Sequence, residues 1–196
     1  MTPEVIVIAA IRTAGSLPVL RWPLAGGLLA ILVDLSDLLL RDLLDLGGVP
    51  DYQGLDKWLD QVYLGCFLLV ALGWSGSARS VAIALYVFRL VGFVAFELSH
   101  ERALLLLFPN VFEFWFIAVA ALGATRVATW SRPRLALALV VLTGLKELQE
   151  WALHGARLFD GIGALEAIEL VWRWLTGGGP ASERRAHHSR AAARPW

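Results

Sequence analysis

The chain has few of the features that mark an ordinary soluble domain. Only 17% of its 196 residues are charged, lysine occurs only at Lys57 and Lys146, and cysteine only at Cys66. The lone cysteine, set in an apolar run, excludes an intrachain disulfide and says nothing of a redox compartment. Net charge is zero, and no folded segment gathers a basic face, which excludes the electrostatic footprint of a nucleic-acid binder. The N-terminus lacks the order of a cleaved signal. Its apolar run, Val5 to Ile11, is short, and Arg12 follows it instead of preceding it. No internal repeat is present. The preference for arginine over lysine is an association with bacterial genomes of high GC content.

What is abundant is apolar. Hydrophobic residues make up 58% of the chain and mean hydropathy is +0.64. Soluble domains run at about 45–50% apolar and about 25% charged, so the balance points to an all-α, polytopic transmembrane bundle without a β-sheet. A single transmembrane domain over 1–176 is expected, with 1–21 an N-terminal segment at the interface or packed on the bundle. A disordered basic tail is expected at 177–196. Six helices are predicted at about 23–44, 55–74, 78–98, 103–129, 134–154 and 162–175, five long spans and a short sixth. Tryptophans such as Trp58, Trp74, Trp130 and Trp151 fall near predicted helix ends, as an interfacial belt requires.

Acids and bases inside apolar helices are costly, so they are functional hypotheses by default. Positions three, four and seven apart share a helix face. That spacing aligns Asp34 and Asp37, then Asp56, Asp60 and Tyr63, then Arg89, Glu97 and His100. It continues with Asn110 and Glu113, with Glu147, Glu150 and His154 beside Lys146, and with Glu166, Glu169 and Arg173. Such stripes should turn away from lipid and converge. Acids outnumber the deep cations Arg89 and Lys146. Unpaired carboxylates must then be protonated, hydrated or bound to an ion, and carboxylate-rich oxygen sites suit Mg²⁺ or Mn²⁺. Asp42, Asp45 and Asp51 read as solvated loop charges, and His100 and His154 sit where interfacial histidines are commoner than ligands.

Sidedness depends on the sixth helix. If it crosses, the N-terminus, Arg79, the Arg126–Arg134 loop and the tail share a cytoplasmic, arginine-rich side. Arg41, Lys57, Arg102, Arg157 and the acidic stretch then face outward.

Asp34-x-x-Asp37 at one helix end, followed by Asp56-x-x-x-Asp60 at the start of the next, resembles the CDP-alcohol phosphatidyltransferases. These are compact membrane enzymes of about six spans that join a phosphatidyl group to an alcohol. The resemblance covers Asp34 to Asp60. It implies that Asp34, Asp37 and Asp56 hold divalent metal at a nucleotide-linked lipid pyrophosphate, with Asp60 the catalytic general base. The chain departs from the pattern at Leu38 and Tyr52, where the family has glycine, and its Ala-Arg pair is missing, with Arg41 one position short. Leu38 would crowd a nucleotide, and the family's cytoplasmic site opposes the outward sidedness above.

The expected function is a divalent-metal-dependent transferase acting on a phosphate-bearing lipid in the bacterial cytoplasmic membrane. Its partners would be membrane lipids and either a second copy or another membrane protein, not nucleic acid. Two alternatives stand beside it: a proton or cation carrier using the intramembrane acids, and a non-catalytic membrane subunit.

Overall fold

The structure, a computed structural model, describes residues 2–36, 52–101 and 107–151. All of them belong to one compact unit, Met1–Ala152. Among the described residues there is helix and no strand. Residues 37–51 with Asp37, the expected sixth helix at 162–175, His154 and the expected tail at 177–196 lie outside the described residues.

Helix α1, Pro3–Ser16, begins with Pro in its first turn, and the Thr2 hydroxyl accepts from the Val5 N–H at 3.4 Å. Such a cap satisfies one of the amides that a helix start leaves without a partner. A 3₁₀ turn over Leu17–Leu20 leads into α2, Pro23–Leu35, again opened by proline. Helices α3, Tyr52–Leu72, and α4, Gly76–Ser99, follow as long elements joined by a short turn at Gly73–Ser75. His100 ends α4 in the left-handed conformation, φ 56°, with its N–H on the Phe96 carbonyl at 2.7 Å. The segment expected as one helix over 103–129 is broken. Helix α5, Val111–Leu122, stops at Gly123 (φ 91°), and a short α6, Ala124–Ala128, restarts from it. Helix α7, Arg132–Glu150, completes the described part.

Helix α5 is the central post, in contact with α2, α3, α4 and α7, while α1 packs on α2 and α3. The core between these helices is aromatic. Phe67 stacks on Phe116 at 4.1 Å, Trp74 stacks on Phe116 at 5.3 Å, and Tyr86 meets Phe112 edge-on. The indole of Trp115 donates to the Ala78 carbonyl at 3.2 Å, so this fully buried ring brings no unsatisfied polar atom.

Two glycines set the closest approaches. A Cβ at Gly26 would lie 2.3 Å from the Val19 backbone nitrogen, so the 3₁₀ turn rests directly on α2. A Cβ at Gly92 would lie 2.3 Å from the Phe108 Cβ, so the chain leading into α5 lies directly on α4.

The outside of the unit is apolar. Leu28, Leu29 and Leu32 on α2, Val87, Val91 and Val94 on α4, and Leu137, Val140 and Val141 on α7 are all exposed. Two helical stretches, Pro3–Leu20 and Gly76–Ser99, are long and apolar enough to cross a membrane, and Pro23–Leu35 and Val111–Leu122 are shorter apolar helices.

The glycine contacts give a paired prediction. Gly26→Ala must displace backbone and should cost about 1–3 kcal/mol, the usual penalty of overpacking. Gly144→Ala, where a Cβ meets nothing within 4 Å, should instead gain up to about 1 kcal/mol of helix propensity. Thermal unfolding of the two variants in detergent checks the opposite signs.

Candidate functional site

The polar centre is assembled from α1 upward. Glu4, Ile8, Arg12 and Ser16 follow one another at intervals of four, and all are buried along the inner stripe of α1. The Ser16 hydroxyl returns a bond to the Arg12 carbonyl at 2.7 Å, which ties off the last turn. The stripe delivers the Arg12 guanidinium, 3% exposed, among three carboxylates from two other helices. Nη1 donates to Asp56 Oδ1 at 2.9 Å, and Nη2 donates to Asp60 Oδ1 at 2.8 Å and to Asp34 Oδ1. The planar fork of arginine suits it to several acceptors at once, where an ammonium would act as a point charge.

Helical spacing places the acids. Asp56 and Asp60 are one turn apart on α3, and Asp34 stands near the end of α2. One oxygen from each of the three lies within 4.8 Å of the others. From the far side, Lys57 Nζ donates to Asp56 Oδ2 at 2.6 Å and to Asp60 Oδ2 at 3.5 Å. Arg89 Nη2, from α4, stands 3.7 Å from Asp60 Oδ2. Both oxygens of Asp56 and of Asp60 are therefore engaged by cations. Among these six residues three negative charges meet three positive ones. Asp60 is 9% exposed, while Asp34 and Asp56 are 25% and 23% exposed and form the open edge of the cluster.

A second network joins on through Arg89, whose Nη1 donates to the Phe108 carbonyl at 3.0 Å. Two residues later Asn110 starts a buried triangle. Its Nδ2 donates to the Tyr63 hydroxyl and to Glu113 Oε2, both at 3.0 Å, and the Tyr63 hydroxyl donates to Glu113 Oε2 at 3.0 Å. Tyr63 stands one turn beyond Asp60 on α3, so the two networks share a helix face. Four polar atoms in this region, Arg89 Nε, Asn110 Oδ1 and both amide atoms of Gln61, are buried without a hydrogen-bond partner. Such atoms cost about 1–3 kcal/mol each and are uncommon in folded proteins.

The residues singled out from the sequence thus divide. Asp34, Asp56, Asp60 and Arg89 come together in one cluster, and Asn110 and Glu113 meet Tyr63 in the other. Two residues expected on the buried face, His100 and Glu147, depart from it. His100 is exposed because α4 terminates there and the chain turns away. Glu147 is exposed because it follows Lys146 by about 100° around α7, and Lys146 takes the buried direction. Glu97 is half-buried. The Lys146 ammonium donates to Gln149 Oε1 at 3.0 Å and stands 5.9 Å from the Phe114 ring centroid. Asp37, His154 and the Glu150 side chain lie outside the described residues. Sequence reasoning missed Arg12, the residue that bonds all three acids of the cluster. The signal that could have found it is the polar pair Arg12 and Ser16 continuing the four-residue interval from Glu4.

The donor set fits a hard cation. Three carboxylates from two helices, within 4.8 Å of one another, are an all-oxygen set of the kind that Mg²⁺ and Mn²⁺ favour. No protein-family model matches this chain, and no curated protein or solved structure matches it either.

The triangle gives its own test. Tyr63→Phe leaves Glu113 and Asn110 each one partner short, so the variant should fold but lose about 1–3 kcal/mol. Urea unfolding followed by tryptophan fluorescence measures the loss, and an unchanged midpoint would remove the triangle from the account.

Proposed function

We propose that this chain is a multi-pass protein of the bacterial cytoplasmic membrane whose buried acidic centre binds a divalent ion. On this reading it transfers a phosphoryl-linked group of a lipid to a hydroxyl. The observation that carries the reading is that Asp34 of α2 meets Asp56 and Asp60 of α3 within 4.8 Å. The aspartate pattern resembling the CDP-alcohol phosphatidyltransferases uses these same positions. Membrane placement is supported by the two long apolar stretches and by the leucine and valine surfaces of α2, α4 and α7, which soluble monomers rarely expose as large patches. A sixth span over 162–175, which lies outside the described residues, is part of the same proposal, with lipids as partners.

In this mechanism Asp34 and Asp56, with Asp37 as the resemblance implies, would hold Mg²⁺ or Mn²⁺. When bound, such an ion neutralises charge developing on phosphoryl oxygens. Asp60, the most buried of the three described acids, takes the proton of the acceptor hydroxyl as that oxygen attacks phosphorus. The P–O bond to the leaving phosphate breaks, and its electron pair departs with that group. Lys57 and Arg89, which flank Asp60 at 3.5 and 3.7 Å, orient the phosphate and balance its charge.

A second reading rests on Arg12. Because one guanidinium ties all three carboxylates, the cluster also fits a charge-neutral knot that holds helices together in a non-catalytic membrane subunit.

Metal and activity assays separate the two. In proteoliposomes with Mn²⁺, Asp60→Asn should cut lipid headgroup transfer by on the order of 10²–10⁴-fold, the usual worth of a general base, while retention volume and helicity stay unchanged. Metal content left unaltered by Asp34→Asn and Asp56→Asn would favour the knot.

A further inference from the structure

Arg12 holds the Oδ1 atom of each of the three aspartates, and the three acids come within 4.8 Å of one another. A divalent ion held by Asp34 and Asp56 beside Asp60 therefore competes with the guanidinium for carboxylate oxygens. The remaining Oδ2 atoms of Asp56 and Asp60 face Lys57 and Arg89 and offer no second set free of cations. Arg12 and the ion cannot share the centre, since a cation placed between three carboxylates and a guanidinium at hydrogen-bond distance meets direct repulsion.

A second, independent observation indicates that the arrangement with Arg12 inserted is one of two. Arg89, 8% exposed, leaves Nε without a partner and spends Nη1 on a neutral carbonyl, so its charge is only partly answered by Asp60 at 3.7 Å. A buried guanidinium so placed points to an anionic group within reach of the cluster. Without an ion the six charged residues balance. With a divalent ion they carry a surplus of two positive charges, which an anion offsets by taking N–H donors from Arg89, Lys57 and the displaced Arg12.

We propose that Arg12 is a built-in stand-in for the divalent ion: guanidinium and metal occupy the carboxylate centre in turn. Helix α1 thereby keeps the site folded and closed until metal and an anionic ligand arrive. The inference rests on the metal reading above and adds to it how the empty site is regulated. By linkage, whatever holds Arg12 in place weakens metal binding by the same factor.

The test is Mn²⁺ binding by full-length protein in detergent, read by electron paramagnetic resonance and by the metal-induced shift in unfolding temperature. Arg12→Gln should bind Mn²⁺ on the order of 5–150-fold more tightly than the unaltered chain, the range of ordinary coupling between sites. Mn²⁺ should also raise its unfolding temperature by more than it raises that of the unaltered chain. Arg12→Lys, which keeps the charge but not the fork, should fall between them, and it carries the test if Arg12→Gln does not fold. Lys57→Gln removes the same unit charge from the Oδ2 side and should give a smaller gain. Equal gains from Arg12→Gln and Lys57→Gln would reduce the effect to general electrostatics and overturn the exchange. Metal bound by the unaltered chain and bound no more tightly by Arg12→Gln would overturn the exchange while leaving the metal site standing. No binding by any of the proteins would overturn both.

Discussion

The contact between Arg12 and its three carboxylates is the constraint on which the rest of the structure turns. It joins the inner stripe of α1 to the end of α2 and the first turns of α3, so three helices meet at one guanidinium. Breaking a buried ion pair by removing one partner typically costs about 3–5 kcal/mol, because the other charge is left without compensation. Here the charges left behind would be three acids in one small volume. The same cluster passes through Asp60 and Arg89 to the start of α5, where the Tyr63–Asn110–Glu113 triangle fixes that helix against α3. One continuous polar path thus connects α1 to α5 through the middle of an otherwise apolar unit.

Two kinds of packing share the work. Around the polar path the helices are held by direct charge and hydrogen bonding. Away from it they are held by aromatic stacking around Phe67, Phe116 and Trp74 and by close backbone approach at Gly26 and Gly92. On the membrane reading this division has a physical reason. Lipid chains are as apolar as leucine, so helices in a bilayer associate through small-residue packing and polar contacts instead of through hydrophobic burial. The leucines and valines on the outer faces are then the solvent-facing residues of this protein.

Much of the inner face was legible in the sequence. Asp56, Asp60 and Tyr63 share a face because they stand four and three residues apart, and the structure puts all three in the polar networks. The pairing of Asn110 with Glu113 followed from the same geometry. Helix type was legible because apolar runs of this length have no other element to form. Three matters were not. The partner of each acid depends on tertiary contact, and Arg12 lies 44 and 48 residues from Asp56 and Asp60, beyond the reach of any periodicity. The break at Gly123 depends on a left-handed φ that glycine permits but does not announce. His100 and Glu147 were placed by helical angle alone, which ignores where a helix ends and which of two neighbours, Lys146 or Glu147, takes the inward direction.

The central claim is that Asp34 and Asp56, beside the base Asp60, form one metal centre, with Arg12 as its occupant in the absence of an ion. It is tested most directly by an anomalous-scattering map from crystals grown with Mn²⁺. The account predicts a manganese peak between the three carboxylates, with the Arg12 side chain withdrawn from all of them. A map showing no peak there, with Arg12 still bonded to the three aspartates in saturating Mn²⁺, would contradict it.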